Sequence, residues 1–399
     1  MWILLIIFLF ILSIYLTIKL NFKNYKLNIL KLLSKDKTSL FLTLGTKIGV
    51  GSLIGTTSSI IIGGFSSVIW MILFSLLTTS ITYHEAYYGN KYKKENNNNF
   101  VGGPYYILKY GLNKKILSII SLILLIVIYS FLFQMIQMNS IGYLLELLSI
   151  KKYLIIIISL IVLFITFRLS IEEVLNGLNK IVPLMCLLFL IVSIYGIIKN
   201  FKLIDITLIT KDFTSLESIL TGLVIGVKRS IFMNELLIGT TSTGSASDKN
   251  DIKASINYQI LSVYFIGVFI TIIISLLLLI YLSNNDILSN YNLLLTGVYT
   301  SILGKYGLLF LLTLYILFGF TTILSGYYIG KSNIEYLTNS KGMLSIFKII
   351  FIVFAVSGIL FKSEFLWNIV DNLILMMIII NSYSIIKLIK CKKEKIWKK

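Results

Sequence analysis

The chain has 399 residues, of which 57% are hydrophobic and 13% charged, and its mean hydropathy is +0.91. That composition excludes an ordinary soluble domain and fits a membrane protein whose apolar runs of about 20 residues each cross roughly 30 Å of hydrocarbon. The formal charge of +19 is spread along the chain rather than gathered in one patch, so no nucleic-acid partner is expected, and two cysteines with one histidine leave little scope for a disulfide or a metal centre.

Eleven all-α membrane spans are predicted, at 2–18, 38–60, 65–89, 115–145, 151–168, 178–198, 214–234, 254–282, 297–328, 343–361 and 365–388. The first has neither a basic start nor a small-residue cleavage site, so it reads as a helix rather than a signal peptide. The second contains Gly45-Thr46-Lys47-Ile48-Gly49-Val50-Gly51-Ser52-Leu53-Ile54-Gly55, with four glycines and a lysine. Glycine costs up to about 1 kcal/mol against alanine in a helix, and a charge at bilayer depth about 2.5–3.5 kcal/mol or more. Irregular backbone is tolerated there only where it is buried or lines a cavity. The pattern therefore predicts a broken helix, with 45–52 non-helical or distorted at mid-membrane.

Further along, His84 and Glu85 read as an interfacial polar pair at the cytoplasmic end of the third span. Asn96-Asn97-Asn98-Asn99 reads as a loop. Gln137 and Asn139 interrupt the fourth span, and buried amides there need partners. Thr221-Gly222-Leu223-Val224-Ile225-Gly226 reads as a weaker break, expected to face the first; close helix packing is the competing reading. Asn234-Glu235 beside Lys228-Arg229 reads as a cytoplasmic gate or helix cap. Thr321 and Thr322 sit mid-span in the ninth helix, where such hydroxyls often bond their own backbone.

The two candidate breaks lie five spans apart. An odd number inverts the second unit, and paired broken helices at corresponding positions point to a midplane binding site. The expected organisation is an extra helix and basic loop at 1–37, five-helix units at 38–198 and 199–390, and a basic tail at 391–399. Lys and Arg concentrate on one side, and the segment Lys387–Lys399 carries seven lysines. This places the C-terminus in the cytoplasm and the N-terminus outside. A bias towards Ile, Lys, Asn and Tyr suggests an AT-rich bacterial genome, hence a bacterial cell membrane.

An ordered set of segments resembles the alanine/glycine:cation symporter family, the sodium:alanine symporters. Gly49-Val50-Gly51-Ser52-Leu53-Ile54-Gly55 resembles its G-T-G-N-I-x-G. Gly63-Gly64 with Trp70-Met71, Glu85 with Lys91-Tyr92, and Gly102-Gly103-Pro104-Tyr105-Tyr106-Ile107 with Gly111-Leu112 follow in order. So do Gln137-Met138-Asn139-Ser140 and Gly226-Val227-Lys228-Arg229 with Phe232-Met233-Asn234-Glu235 and Gly239. Phe320-Thr321-Thr322-Ile323-Leu324, Trp367 with Asp371, and Asn381 fit the last third.

The resemblance implies an inverted five-plus-five fold of the leucine-transporter type. It also implies alternating-access symport of a small neutral amino acid, alanine or glycine, with Na+ or H+ as coupling ion and no other cofactor. An unwound helix suits a zwitterion, because it offers amides at one half-helix end and carbonyls at the other. The expected substrate contacts are Thr46, Gly49, Val50, Gly51, Ser52, Gln137, Gly222 and Gly226. For Na+ they are the carbonyls of Gly45 and Ile48 with the Thr321 and Thr322 hydroxyls. Gating or coupling falls to Lys47, Asn234 and Glu235.

Three features depart from the family pattern. Ser52 replaces an asparagine, Gly239-Thr240-Thr241-Ser242-Thr243-Gly244 lacks G-S-A-P, and Ile380 stands where a proline would precede Asn381. Lys47 either pairs with a carboxylate or carbonyls as a gate or stands in for a second cation. Proton-coupled or sodium-independent transport and a transporter-like sensor are the alternatives. No catalytic constellation stands out, so an enzyme is not expected. The oligomeric state is left open, and a monomer is compatible with the sequence.

Overall fold

The structure, a computed structural model, describes residues 2–26, 35–96, 99–249, 252–338 and 340–391. Residues 27–34, part of the loop within 1–37, and the basic tail 392–399 lie outside the described residues, as do Asn97 and Asn98. The chain is mostly helical. In order, α1 is Trp2–Lys19, α2 Thr38–Lys47, α3 Val50–Gly63 and α4 Ser66–Lys91. A small antiparallel hairpin pairs Lys94–Asn96 with Asn99–Val101. Then come α5 Lys115–Leu147, α6 Lys152–Arg168, α7 Ile171–Lys199, α8 Leu216–Asn234 and α9 Thr240–Ala246. The remainder is α10 Ile252–Leu282, α11 Tyr291–Leu303, α12 Gly307–Leu337, α13 Lys341–Ser357 and α14 Ser363–Cys391.

Among the described residues, seven helical spans are long and apolar enough to cross a membrane, and eight if the bent pair α2–α3 counts as one. Their outer faces are apolar: Leu4 is 74% exposed, Ile116 79% and Ile349 62%. Contiguous exposed apolar surface on this scale suits lipid rather than water. Inside, many serines and threonines return their hydroxyls to their own helix, as Ser13 does to Leu9 O and Thr57 to Leu53 O, so burial leaves no orphaned donor at those positions.

Two predicted boundaries are corrected. The sixth span starts at Ile171, not 178. Ser170 caps α7 by accepting the Glu173 amide at 3.2 Å, and Glu173 Oε2 accepts the Ser170 amide at 2.7 Å. This reciprocal capping box extends the helix into a polar turn that hydropathy does not register. The segment 297–328 merges two helices, because Gly304, at φ 62°, turns the chain between α11 and α12.

Two long helices carry wide π-type stretches, Val127–Leu132 in α5 and Tyr264–Ile270 in α10. Such turns widen the helix and free backbone carbonyls for other partners. In α5 the Tyr129 carbonyl is taken by Gln134 Nε2 at 2.7 Å, and the same nitrogen reaches Thr322 O on α12 at 3.2 Å. The bent pair lies at the centre of the fold. α2 packs against α7, α9, α10 and α12, and α3 against α8, α10 and α11, while α4 runs alongside α8, α9 and α10.

Candidate functional site

The first break is real but shorter than expected. α2 remains helical through Gly45, Thr46 and Lys47, and only Ile48 and Gly49 leave the helix. Gly49 is extended, at φ −94° and ψ −179°, and the two half-helices meet at a 46° bend. The orphaned amides of a new helix start need acceptors. The Val50 amide donates to Gln137 Oε1 at 2.8 Å, and Ser52 returns both its amide (3.0 Å) and its hydroxyl (2.8 Å) to Gly49 O. At the end of α2, Thr322 Oγ1 approaches Gly45 O at 3.4 Å, while also bonding Phe318 O at 3.0 Å.

The glycines let neighbours reach the break. A Cβ at Gly49 would stand 2.7 Å from Thr322 Oγ1 and 3.0 Å from Gln137 Nε2. One at Gly45 would meet Ser325 Oγ and Leu178 Cδ2 at 2.9 Å, and one at Gly51 the Phe232 ring at 2.8 Å. Gln137 from α5, Thr322 and Ser325 from α12, and Phe232 from α8 thus converge on 45–51. Ser325 escaped the sequence reading. It lies three residues after Thr322, hence on the same helix face. Thr321 is turned away: its hydroxyl bonds Phe318 O at 2.9 Å and faces Met185 Sδ at 3.5 Å. Adjacent helix positions differ by about 100°, so the two hydroxyls do not turn to the break together.

The second break is elsewhere than predicted. Gly222 and Gly226 lie in the unbroken α8, packed directly on Ser66 and Ser67 of α4, with Gly222 also near Gly63 O. Their absent side chains allow close helix approach. The chain breaks instead at 235–239, where Glu235, Leu237 and Gly239 take φ values of 50°, 58° and 125°. The left-handed region costs a non-glycine residue about 1–2 kcal/mol, so side chains must hold it. The Thr240 hydroxyl donates to Glu235, the Leu237 amide to Glu85 Oε2 at 3.2 Å, and Asn381 Nδ2 to Leu237 O at 2.6 Å. Asn234 anchors α8 to α4 through Ser75 Oγ at 2.8 Å. Asn139 donates to Gly358 O and Phe361 O, at 2.9 and 2.7 Å, and so secures the end of α13.

Lys47 is buried at the end of α2. Its ammonium donates to Ser262 Oγ at 3.0 Å and to Thr241 Oγ1 at 3.4 Å. His84 and Glu85 are corrected from an interfacial pair to core residues, because α9 and α10 cover that part of α4. His84 Nδ1 lies 2.9 Å from Ser80 O.

Both approaches to the breaks are covered. On one side Phe232 lies over Gly51 and meets Trp367 edge-on at 4.6 Å between ring centroids. Arg229 sits over Trp367 at 4.4 Å, and Lys228 Nζ pairs with Asp371 Oδ2 at 2.9 Å and lies over Trp2 at 4.9 Å. Lys228 and Arg229 therefore occupy the end of the bundle shared with Trp2, away from Lys91. Both residues lie within α8, which stays helical to Asn234, and not in a loop after it. A cavity of about 440 Å³, lined by Asn139, Tyr143, Glu146, Lys152, Asn290 and Glu364, opens between α5, α6 and the starts of α11 and α14.

On the other side α9 closes on α4. Asn90 Nδ2 donates to Ser245 O at 2.9 Å and Ser245 Oγ to Ala86 O at 2.6 Å. Lys93 Nζ donates to Asp248 O at 2.6 Å, and partial burial holds its ammonium below the usual lysine range against the pull of Asp248.

A profile of the sodium:alanine symporter family matches residues 1–398. The chain is 25% identical to the amino-acid carrier protein AlsT of Bacillus subtilis over 353 residues, covering 86% of this chain and 75% of that one. It is 25% identical to the probable sodium/glutamine symporter GlnT of Bacillus subtilis, covering 97% and 86%. To the sodium/alanine symporter AgcS of Methanococcus maripaludis it is 24% identical, covering 90% and 86%. Among solved structures, the Eremococcus coleocola manganese transporter aligns with a TM-score of 0.42 at 13% identity, covering 90% of this chain and 71% of that one.

Proposed function

This chain belongs to the sodium:alanine symporter family, and from that premise we propose that it carries a small neutral amino acid, alanine or glycine, across a bacterial cell membrane together with Na+. By name its relatives are an amino-acid carrier, a probable sodium/glutamine symporter and a sodium/alanine symporter, and no enzymatic role is proposed. The observation that carries the reading is the break at Ile48–Gly49. There the Val50 amide meets Gln137 and the Gly45 carbonyl meets Thr322, and both side chains pack on Gly49. Half-helix amides suit the substrate carboxylate, and the carbonyl end suits a hard cation. Thr46, Gly49, Val50, Gly51, Ser52 and Gln137 surround the substrate in this reading. Gly45 O, Ile48 O, Thr322 Oγ1 and Ser325 Oγ hold Na+, and Thr321 drops out. Gly222 and Gly226 act by seating α8 on α4 rather than by touching substrate.

The eleven-span reading pairs α2–α3, α4, α5, α6 and α7, in 38–198, with α8–α9, α10, α12, α13 and α14, in 199–390. In each unit the first helix is the broken one, which favours the inverted repeat. α1 is the extra helix, and α11 lies between spans. Alternating access then moves the Phe232–Trp367 lid on one side and α9 on the other. The N-terminus is outside and the C-terminus cytoplasmic in this reading. Lys47, Asn234 and Glu235 link the breaks to the surrounding helices.

The experiment is uptake of labelled L-alanine, glycine and L-glutamine into proteoliposomes under an inward Na+ gradient, with choline replacing Na+ at fixed pH. Na+-dependent accumulation of one of the small amino acids is expected. Undiminished gradient-driven uptake in choline rejects the sodium site and favours proton coupling, to which the buried Lys47 and the serine at position 52 point.

A further inference from the structure

Lys47, Glu85 and Glu235 are 3%, 2% and 2% exposed, and all three hydrogen-bond to the segment of the second break, Lys47 to Thr241, Glu85 to the Leu237 amide and Glu235 to the Thr240 hydroxyl. Lys47 ends α2 just before the first break, and Glu235 begins the second. Glu85, on α4, holds the second break through the Leu237 amide. The Lys47 ammonium is hydrogen-bonded to Ser262 and Thr241 and lies in the field of Glu235 first and Glu85 second. Glu235 accepts the Thr240 hydroxyl, which in turn accepts the Tyr129 hydroxyl at 3.3 Å, and the nearby Thr46 hydroxyl donates to Thr43 O at 2.8 Å. Glu85 Oε2 takes the Leu237 amide, and the Ser242 backbone lies beside the carboxyl group. Glu85 Oε1 is buried with no hydrogen-bond partner.

The ionisable groups that reach this cluster are Lys47 from α2, Glu85 from α4, Tyr129 from α5 and Glu235 from the break after α8. His84, next to Glu85, turns to Ser80 O on its own helix and lies in the field of Lys19 from α1. The groups contributed by α9 (Thr240, Thr241), α10 (Ser262) and α14 (Asn381) are neutral.

With all three side chains ionised, the cluster would hold one cation and two anions. An uncompensated charge at this depth is strongly unfavourable. A metal ion is a poor remedy, because the Lys47 ammonium already stands in the field of both carboxylates and would repel it. Among the described residues no group of three His, Cys, Asp or Glu is placed to share a metal. One proton restores neutrality. It belongs on Glu85 rather than Glu235, because the Thr240 hydroxyl donates to Glu235 whereas the buried, bare Oε1 of Glu85 is far more costly ionised than neutral.

We propose that Glu85, with Glu235 and Lys47, is a proton site built between the two breaks, and that its occupancy changes as the breaks move. The proton comes from water on one side of the membrane and returns to water on the other; no other bond changes. With Glu85 protonated, Lys47 is free to rest on Ser262 and Thr241, as observed. Loss of the proton leaves a second carboxylate for Lys47 to neutralise and draws the end of α2 towards α4. Proton affinity and break geometry are then linked reciprocally. The inference deepens the symport reading of the preceding subsection and rests on it for the transport step.

Infrared spectroscopy of the purified full-length protein tests the site without any transport. The wild type is expected to show the carbonyl-stretch band of a buried protonated carboxylic acid at neutral pH. The band should be lost in Glu85→Gln and kept in Glu217→Gln, an exposed control. Absence of the band in the wild type, or its persistence in a folded Glu85→Gln, overturns the proposal. In proteoliposomes with equal Na+ on both sides, a clamped potential and an entrapped pH dye, added L-alanine, glycine or L-glutamine should acidify the lumen as it enters. Glu85→Gln should lose that acidification. Amino-acid entry without a pH change in the wild type overturns proton movement with substrate and leaves the symport reading standing. No uptake of any of the three refutes the symport reading, and the infrared band alone then decides the proton site.

Discussion

Adding a single methyl group at Gly49 tests the architecture of the break directly. The backbone there, φ −94° and ψ −179°, is ordinary extended chain that alanine adopts equally well. The whole effect of Gly49→Ala therefore comes from space. The new carbon would lie 2.7 Å from Thr322 Oγ1, and 3.0 and 3.2 Å from the Gln137 amide atoms. Neither neighbour yields freely, since Thr322 is bonded to Phe318 O at 3.0 Å and Gln137 holds the Val50 amide at 2.8 Å. Overpacking of this kind costs about 1–3 kcal/mol, or roughly 5–150-fold in an equilibrium constant. Gly55→Ala is the matched control, because its methyl would meet only Met233 Cγ and Sδ, at 3.2 and 3.3 Å, on a side chain that adapts easily. Initial rates of labelled amino-acid uptake, with thermal midpoints in detergent, read the difference. Gly49→Ala should raise both KM and the half-saturating Na+ concentration by about 5–150-fold, and Gly55→Ala should change neither by more than about twofold. Adding Thr322→Ala should recover part of the thermal loss of Gly49→Ala, as neighbours in contact are not additive. Identical KM, Na+ dependence and thermal midpoint in the two glycine variants would refute the convergence of α5 and α12 on the break.

Much of this site was legible in the sequence because it rests on local chemistry. Glycines around a lysine in an apolar run have few explanations, and the break falls among them, with Gln137 from another span on its first amide. What was hidden depends on which way side chains turn. Thr321 and Thr322 are equal in sequence, yet the helix step sends one to Met185 and the other to Gly45, and brings in Ser325 one turn later. The second break was misplaced because glycine has two uses: at 222 and 226 it seats one helix on another. The actual break is made by Glu235 and Leu237 in left-handed conformations, residues that carry no local turn signal. They are held by Glu85 and Asn381, which lie far away in the chain. Glu85 itself read as interfacial because hydropathy registers the end of an apolar run but not the α9 and α10 cover over it.

Four further outcomes follow from the geometry. Gln137→Ala removes the acceptor of a buried amide, worth about 1–3 kcal/mol, and should raise KM roughly 5–150-fold with little loss of expression; an unchanged KM makes Gln137 a packing residue. Thr322→Ala should raise the half-saturating Na+ concentration by about tenfold or more, while Thr321→Ala should change it by less than about twofold, read from Na+ titrations of uptake; equal effects would show that the helix faces are misassigned. In a background without Cys186 and Cys391, a cysteine replacing Lys202, exposed after α7 on the side of the N-terminus in the eleven-span reading, should react with an impermeant thiol reagent outside intact cells and one replacing Lys390 should not; the reverse pattern inverts the topology. Asp371→Asn, finally, removes the partner of Lys228 and with it the tie between α8 and α14 at the lid. The pair is largely buried, with side chains 23% and 13% exposed, so a charge-assisted bond there contributes about 1–2 kcal/mol after discounting for residual solvent. The same α8 turn carries Arg229 over Trp367, and Trp367 braces Phe232 over Gly51. Loosening α14 should therefore open the whole stack rather than one contact. The accessibility of a cysteine at position 52 to the same reagent should rise about 5–30-fold in Asp371→Asn, and restoring an acid as Asp371→Glu should return most of it. Unchanged labelling with a normal fold would mean that the aromatic stack closes this side on its own and the ion pair only decorates it.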